Sequence, residues 1–517
     1  MVSALLSPGV YVEEVPSGVH TITGVATSIT AFVGRTSRGP VSEPVLVTSF
    51  GDFERQFGGV QLDYPVSYAV QDFYLNGGSQ ALILRLQTGA AAASADLPTG
   101  GAGGEKLTLL AHDDGTWGNA LTVTTDNATR DTADTTLFNV TIVQTDGAIE
   151  KFLNVSTSPS SARFVARVLE GGSMLAAVSR DNTGKWLVPA TRPTPASVAF
   201  ANGTDGNKLA DADYTGSAGL RTGLFALEKA PLFNLLCIPP DARAGDTSAA
   251  VWQAAMAYAA TRRAVLIVDP PAAWGAVKET AAATAADPVK GLASLGLSGL
   301  AARNAVIYFP RVIESDPNLA GQLDVFPPCG VVAGIIARTD STRGVWKAPA
   351  GLDAALNGVQ GLQANLTDGD NGVLNPLGIN CLRAFPVAGR VIWGARTLRG
   401  ADLLADEYKY LPVRRLALFI EESLNQGTQW AVFEPNDEPL WSQLRLNIGA
   451  FMQGLFRQGA FQGSSPQQAY FVKCDSETTT QNDIDLGVVN VLVGFAPLKP
   501  AEFVVLRLQQ LAGQIAA

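Results

Sequence analysis

The chain has 517 residues, of which 16% are charged and 47% are hydrophobic, and its formal net charge is −10. Soluble proteins typically have roughly 25% charged residues, so this composition indicates a large core or a surface covered by neighbouring subunits. A nucleic-acid partner requires a basic face, and an acidic chain argues against one. At this length we expect several domains, about three on the usual size prior, each with a sizeable core.

Targeting and cysteine patterns favour a soluble protein made in the cytosol. No Lys or Arg precedes Arg35, so the positively charged region of a secretory signal is missing. No apolar run approaches the roughly 20 residues needed to span a bilayer, and we expect no membrane insertion. The cysteines are scattered singly, which favours reduced, mostly buried thiols over a disulfide framework or a zinc site. These cysteines are Cys237, Cys329, Cys381 and Cys474.

A short strand pattern lies near the start of the chain, with a proline on each side of it, Pro8 and Pro16. Val10 and Val12 face one side of an extended segment, while Tyr11 and Glu13 face the other. The flanking prolines end the segment because proline donates no N–H to a ladder. An isolated terminal strand cannot bury its apolar side alone, so it needs a sheet edge, which can belong to another molecule.

The C-terminal end carries a matching pattern after a proline-rich break at 497–500. Val504, Leu506 and Leu508 share one face of the predicted strand, and Phe503 lies on the other. Two interpretations remain open. Both ends close one intramolecular sheet, or they exchange strands between subunits, which would make the chain a polymer-forming protein.

The sequence between the two ends changes character several times. Residues 88–104 are dominated by Ala, Gly, Ser and Pro, which predicts a linker. β-Branched runs punctuated by Asn, Asp and Gly follow as far as residue 192 and predict a mainly β insertion. From residue 202 onward strands alternate with helices, a pattern typical of a parallel sheet covered by helices. Beyond residue 400 we expect two helices followed by three strands.

We therefore predict a multidomain chain of the α/β and α+β classes. Its parts are an N-terminal β arm at 1–22, the first part of an α/β core region at 23–90, an inserted mainly β peripheral domain at 91–200, an α/β core domain at 201–399, an α+β C-terminal domain at 400–499 and a C-terminal β arm at 500–517.

Motifs for catalysis and cofactor binding are missing. His20 and His112 are the two histidines, neither lies in the predicted α/β core, and no Gly-x-Ser-x-Gly elbow occurs. The Gly-rich stretch at 100–104 lacks the strand, helix and Lys-Ser/Thr of a phosphate loop. Residues 368–372 begin like a calcium loop but lack the Glu at position twelve, so we expect a polar turn. The sequence predicts a protein that is not an enzyme and has no catalytic residue, cofactor or metal.

One predicted helix carries charges placed against its dipole. After Pro412, apolar residues recur at helical spacing. Arg414 and Arg415 lie in the first turn, and Glu421 and Glu422 lie in the last, which is the unfavourable order for both signs. Either these charges form a solvated face, or another molecule uses them.

Several segments spread along the chain match a known family in their order. They are Pro8–Glu14, Thr48–Gly58, Gly344–Gly351, Gly378–Asn380, Val391–Leu398, Arg414–Leu424 and Asn482–Gly487. On these segments the chain resembles the sheath protein of contractile phage tails and of related bacterial contractile injection particles. The resemblance covers everything except roughly residues 90–200.

The resemblance implies a structural role and a set of partners. Members of the family form six-start helical polymers around an inner tube, and terminal arms complete a β-sheet in neighbouring subunits. Contraction, triggered at a baseplate, drives the tube through a target envelope. The implied partners are copies of the chain, the inner tube protein, and baseplate and terminal cap proteins. Assembly in the bacterial host cytoplasm and a non-catalytic α/β core of subtilisin-like topology are also implied.

The expected inter-subunit contacts lie in the arms and in the charged helix. The arm residues are Val10, Tyr11, Val12, Glu13, Phe503, Val504, Leu506 and Leu508. Arg414, Arg415, Glu421 and Glu422 are the candidates for contact with the tube. Stored conformational energy would drive contraction, since no nucleotide-binding motif occurs. The alternatives are a non-contractile shell or surface-layer protein and, more distantly, a subtilisin-like serine protease. A phage tail and a host-encoded injection particle both fit the resemblance.

Overall fold

The fold is seen in a computed structural model that describes residues 20–101, 104–145 and 147–507. The predicted N-terminal strand and Leu508 therefore lie outside the described residues. The described chain divides into two compact units. One consists of residues 27–414, and the other combines residues 20–26 with residues 415–507.

The first unit contains most of the secondary structure. Its elements as far as residue 200 are β1 (Thr30–Gly34), β2 (Val45–Val47), α1 (Phe50–Phe57), α2 (Pro65–Leu75), β3 (Ala81–Arg85), β4 (Ser94–Pro98), β5 (Lys106–Ala111), β6 (Leu121–Asp126), β7 (Leu137–Gln144), β8 (Ile149–Ser156), α3 (Val165–Gly172), β9 (Ala176–Val178) and β10 (Ala196–Ala199).

The remainder of this unit alternates strands with helices, as the sequence predicts. The elements are α4 (Asp211–Thr215), β11 (Leu235–Cys237), α5 (Ala249–Thr261), β12 (Val265–Val268), α6 (Ala281–Ala286), β13 (Ala305–Phe309), β14 (Val312–Asp316), β15 (Gln322–Phe326), α7 (Cys329–Arg343), β16 (Gly361–Leu362), α8 (Asp368–Leu374), β17 (Ile379–Phe385) and β18 (Gly389–Trp393).

An eight-stranded sheet organises the first unit, in the order β18-β17-β13-β12-β11-β1-β3-β2. The six inner strands are parallel, and an antiparallel strand closes each edge. Every residue of β1 is buried, as is typical of a parallel strand covered on both faces. Ala31 and Val33 join the core that contains α5. Phe32 points to the other face and meets Phe73 of α2, with ring centroids 5.6 Å apart. The predicted parallel-sheet α/β core is confirmed.

The insertion has an apolar core of its own. Two antiparallel sheets, in the orders β10-β6-β7-β8 and β4-β5-β9, enclose it together with α3. The prediction of a linker over residues 88–104 is wrong, because β4 lies inside that stretch and pairs with β5. Ala95 and Leu97 point into the core and alternate with exposed residues. Small side chains thus form a strand here although the composition resembles a linker.

The predicted polar turn at 368–372 is also wrong, because these residues begin the short helix α8. Thr367 caps the helix by accepting a hydrogen bond from the Asp370 N–H, and Asp370 bonds back to Thr367. Asp368 pairs with Arg383 at 2.6 Å. The acidic residues therefore serve a helix N-terminus and an ion pair.

The cysteine prediction is confirmed, since all four cysteines are buried and free. In the described ranges, no helix is both long enough and apolar enough to cross a membrane.

The contact between α2 and β14 contains a pair of buried carboxyls. Tyr68 and Asp72, one helical turn apart, face Asp316 and Glu314, two residues apart on the strand. The Tyr68 hydroxyl donates to Asp316 at 2.8 Å, and Arg243 pairs with Asp316 at 2.6 Å. The carboxyls of Asp72 and Glu314 are both buried and interact with each other, and two carboxyls in such surroundings are favoured when they share one proton. Burial raises the pKa of Asp72 well above its usual range and that of Glu314 to about 7.

This carboxyl pair predicts a stability that falls as the pH rises. The folded chain keeps a proton that the unfolded chain releases above its ordinary carboxyl pKa. The free energy of unfolding should therefore decline between about pH 4.5 and 7, by up to about 1.4 kcal/mol per pH unit for each proton retained. Glu314→Gln supplies the shared hydrogen permanently, so it should flatten this part of the curve.

Urea unfolding at pH 5, 6, 7 and 8 gives the free energy of unfolding of wild type and of Glu314→Gln. The difference between the two proteins at each pH measures the effect of the carboxyl pair. Burial also raises the pKa of Asp269, to about 6, but that contribution cancels in the difference. Parallel curves for the two proteins would contradict the shared proton.

Candidate assembly interface

The second unit is built on two long helices, α9 (Leu411–Gly427), of which residues 415–427 belong to this unit, and α10 (Glu438–Arg457). Asp437 caps α10 by accepting from the Leu440 N–H, and a proline follows in the first turn. The apolar stripe of α10 is buried at helical spacing. Its members are Leu440, Trp441, Leu444, Ile448, Met452 and Leu455.

A small antiparallel sheet lies on this helical support. It consists of β19 (Tyr470–Lys473) and β20 (Leu492–Phe495), which follow the short helices α11 (Pro466–Ala469) and α12 (Gln481–Asp485) respectively. Tyr470 is opposite Phe495, and Lys473 is opposite Leu492. Within the described ranges no third strand joins them. Each strand therefore has an outer edge of backbone N–H and C=O groups outside the ladder, which is a template for another strand.

Beside the sheet lies an apolar groove with a volume of about 730 Å³. Val489, Val491 and Val493 line it from the segment that runs into β20, and their spacing of two places them on one side of the chain. The opposite walls come from the end of α9, the connection to α10, and α10 itself. The wall residues include Leu424, Thr428, Ala431, Val432, Phe433, Leu440, Leu444 and Ile448.

The rim of the groove exposes large apolar side chains. Phe433 is fully exposed and has a φ of 72°, an unfavourable conformation for an aromatic residue. Val432 beside it is also exposed. A strained and exposed aromatic at the mouth of an apolar groove is typical of a contact surface.

The first described residues of the second unit, 20–26, lie along helix α9. The Val25 N–H donates to the Ser423 hydroxyl at 3.2 Å, and His20 stacks on Trp430 with ring centroids 4.1 Å apart. Trp430 adjoins the groove residue Ala431. The predicted arm residues Val10, Tyr11, Val12 and Glu13 precede His20 and lie outside the described residues.

The C-terminal segment is exposed and forms no strand over residues 501–507. Phe503, Val504, Val505 and Leu506 are each between 76% and 83% exposed. The expectation of three strands after the two helices is therefore wrong for the single described chain, which has two. A run of four exposed apolar residues is unfavourable in water and predicts a partner.

The four charges on α9 do not form one exposed surface. Arg415 is only 4% exposed, so its burial does not support the prediction that it contacts another molecule. It lies on the same helical face as the buried Leu411 and Leu418, at spacings of four and three residues. Glu421 is exposed. Glu422 is half-buried and accepts from Gln426 at 2.8 Å.

Arg414 is engaged within the first unit. Its Nε donates to the Asn304 side chain at 3.1 Å, and its guanidinium lies 4.9 Å from the centre of the Tyr408 ring. These contacts anchor the start of α9, so Glu421 is the most accessible of the four charges predicted to meet the tube.

The two histidines belong to different units. His112 bonds to Asp113 at 3.2 Å, and this hydrogen bond raises the pKa of the imidazole. His20 belongs to the other unit. The described residues contain no group of three or more His, Cys, Asp or Glu placed to hold a metal ion.

The groove was not predicted from the sequence. A signal was present, because Val489, Val491 and Val493 alternate with other residues for five positions. The short strand β20 covers only part of this alternation. Helix residues from two separate segments form the other walls, and the sequence pattern alone does not bring these segments together.

Comparisons with known proteins match both units. Residues 212–398 match the phage tail sheath protein central domain, and residues 405–510 match the phage tail sheath C-terminal domain. The tail sheath protein of Vibrio phage KVP40 is 25% identical over 393 residues, which cover 71% of this chain and 54% of that protein. The chain thus spans about half the length of this relative.

Solved structures share the fold. The anti-feeding prophage helical sheath in its contracted state has a TM-score of 0.57 and 22% identity, over 98% of this chain and 100% of the other. A sheath tail protein from Listeria innocua has a TM-score of 0.61 and 14% identity, over 92% and 96% of the two chains.

The exposed C-terminal segment gives a direct test of the interface. The double variant Val504→Asp with Leu506→Asp should change the free energy of unfolding by less than about 0.5 kcal/mol, because both side chains are exposed. It should stop self-association, since two carboxylates cannot enter an apolar contact. Sedimentation velocity measures association, with Val387→Asp, at another fully exposed valine, as the control. Undiminished association of the double variant would show that this segment is not an interface.

Proposed function

The chain belongs to the phage tail sheath protein family, and on that basis we propose that it is the structural subunit of a contractile sheath. It forms a six-start helical polymer around an inner tube and contracts to drive the tube through a target envelope. The observation that carries the proposal is the match of both sheath domains, which together span more than half of the chain. The work of contraction comes from conformational energy stored during assembly.

The open sheet of the second unit supports strand exchange as the link between subunits. Strand addition to β19 or β20 forms several backbone hydrogen bonds, each worth roughly 0.5–1.5 kcal/mol net. Val504 and Leu506, exposed in the single chain, gain burial in such a contact, as do Val10 and Val12 of the N-terminal arm. A fully buried Val or Leu side chain contributes roughly 1.5–3 kcal/mol.

The remaining partners follow the same proposal. The inner tube protein lies inside the polymer, and baseplate and cap proteins bind its two ends. The non-catalytic core has a subtilisin-like topology, and the insertion at 91–200 is peripheral. The subunit is made in the cytoplasm of the bacterial host and then becomes part of the particle.

Electron microscopy of the chain expressed with its tube protein tests the function. A contractile sheath gives tubes of two diameters, the narrow form filled and the wide form empty. Tubes of a single diameter under all conditions would identify a non-contractile shell. A folded monomer that reacts with a serine-directed probe would instead favour a hydrolase.

We further propose that Glu421, with Glu422, contacts the tube. Pairs at such a wet interface contribute only about 0–1 kcal/mol each and weaken with salt, but many subunits repeat them. Glu421→Lys with Glu422→Lys should yield sheaths that lack a tube, whereas Glu279→Lys, an exposed control on the first unit, should not. Tube content is counted in micrographs. If the double variant forms sheaths that contain a tube, helix α9 does not make the tube contact.

A further inference from the structure

A cationic pocket lies at the C-terminal end of α7, in the first unit. Its volume is about 290 Å³, and its walls come from the last turns of the helix and the loop that follows. Three cationic side chains, Arg338, Arg343 and Lys347, line it with one carboxylate, Asp353. The loop belongs to the segment Gly344–Gly351, which the sequence resemblance singles out but to which the proposed function assigns no role.

The cations lack close carboxylate partners. Arg338 donates from Nη2 to the Ala355 carbonyl at 2.7 Å, and Lys347 donates to the carbonyls of Ala348 and Ala350 at 2.9 and 3.4 Å. Across the described part of the chain, no carboxylate pairs with either of them. Arg343 and Asp353 approach only to 3.8 Å, and their side chains are 58% and 88% exposed.

Two other cations of the same unit, the half-buried Arg35 and the buried Arg311, do have a close carboxylate partner. Arg35 and Arg311 each pair with an aspartate at 2.6 Å. Burial lowers the pKa of Arg338, and burial together with the charge of Arg343 lowers that of Lys347. Both shifts arise mainly from burial, which disfavours the charged form of each side chain.

The other polar groups of the pocket are already used. The Thr339 and Thr342 hydroxyls donate to helix carbonyls of Ile335 and Arg338, both at 2.8 Å. A guanidinium has five N–H donors, and Arg338 uses one of them in the described structure. The unused donors suit a carboxylate, which accepts two parallel hydrogen bonds from an arginine.

The backbone holds the lysine in place. Gly344 has a φ of 89°, and a Cβ there would lie 2.5 Å from the Trp346 ring. Only glycine therefore allows the tight turn after α7, and Trp346 packs closely against it. Val345 is buried beside them. The segment Gly344–Gly351 is thus a rigid turn that places Lys347 at the pocket.

We propose that this pocket binds an Asp or Glu side chain of a second copy of the chain. The inference rests on the proposed function, in which each copy contacts other copies. Charge complementarity supports this occupant, because a chain with net charge −10 offers a surplus of carboxylates to a pocket with a surplus of cations. The contact adds a polar link between subunits that is separate from the exchange of strands.

Zero-length carbodiimide cross-linking tests the proposal, because it joins an amine to a carboxylate in direct contact. Polymers are assembled from equal amounts of ¹⁴N- and ¹⁵N-labelled chains, cross-linked and analysed by mass spectrometry. We expect peptides that join Lys347 to an Asp or Glu, with half of the links between differently labelled chains. Links only within one chain, for example to Asp353, links to the tube protein, or no Lys347 links would each overturn the proposal.

Variants give a second readout. Lys347→Gln should raise the concentration needed for assembly roughly 3- to 10-fold at low salt, and less at high salt. Lys347→Arg should restore assembly, and Lys278→Gln, at an exposed lysine of the same unit, should leave it unchanged. Circular dichroism confirms that each variant is folded. Normal assembly of Lys347→Gln refutes the pocket while the sheath proposal stands, whereas no polymer from wild type refutes both.

Discussion

The small sheet of the second unit has backbone N–H and C=O groups on its outer edges that no further strand of the described chain pairs. The proposed link between subunits depends on these groups. Strands β19 and β20 bond to each other and to no further strand in the described chain. A two-stranded sheet is marginally stable in water by itself. The helices α9 and α10 support it, and a groove lined by Val489, Val491 and Val493 lies alongside. Residues 503–506 are apolar and exposed, and under the proposed strand exchange they supply the strand that pairs with this sheet in another subunit.

The first unit supplies rigidity. Its parallel sheet is buried on both faces. Helix α7 approaches α2 so closely at Gly330 that a Cβ there would lie 2.1 Å from the Ala69 carbonyl oxygen, so the absence of a side chain allows this packing. A rigid body of this kind can transmit movement when the contacts around it change. The low fraction of charged residues agrees with a first unit that has a large core and a second unit that has covered contact surfaces. Both features reduce the area of protein exposed to water, where charged residues normally lie.

Sequence patterns predicted the α/β core well, because buried parallel strands and amphipathic helices have distinct periods. They failed where local composition and tertiary context disagree. Strand β4 consists partly of small residues that read as a linker. Arg415 was predicted as a tube contact from its charge in the first turn of the helix, and the sequence pattern did not predict its burial on the face of Leu411 and Leu418. The groove combines residues from separate segments, so no single stretch of sequence revealed it. The cationic pocket lies within residues 338–354, but its shape depends on how the chain turns after α7.

Hydrogen–deuterium exchange tests the central claim most directly, because it reports the bonding of individual backbone amides. Amides of 470–473, 492–495 and 503–506 should exchange faster in the monomer than in the polymer, and those of residues 9–15 should change in the same way. Protection of these segments on assembly is the result that strand exchange predicts. Equal exchange in monomer and polymer would show that the sheet edge stays open and that other surfaces join the subunits.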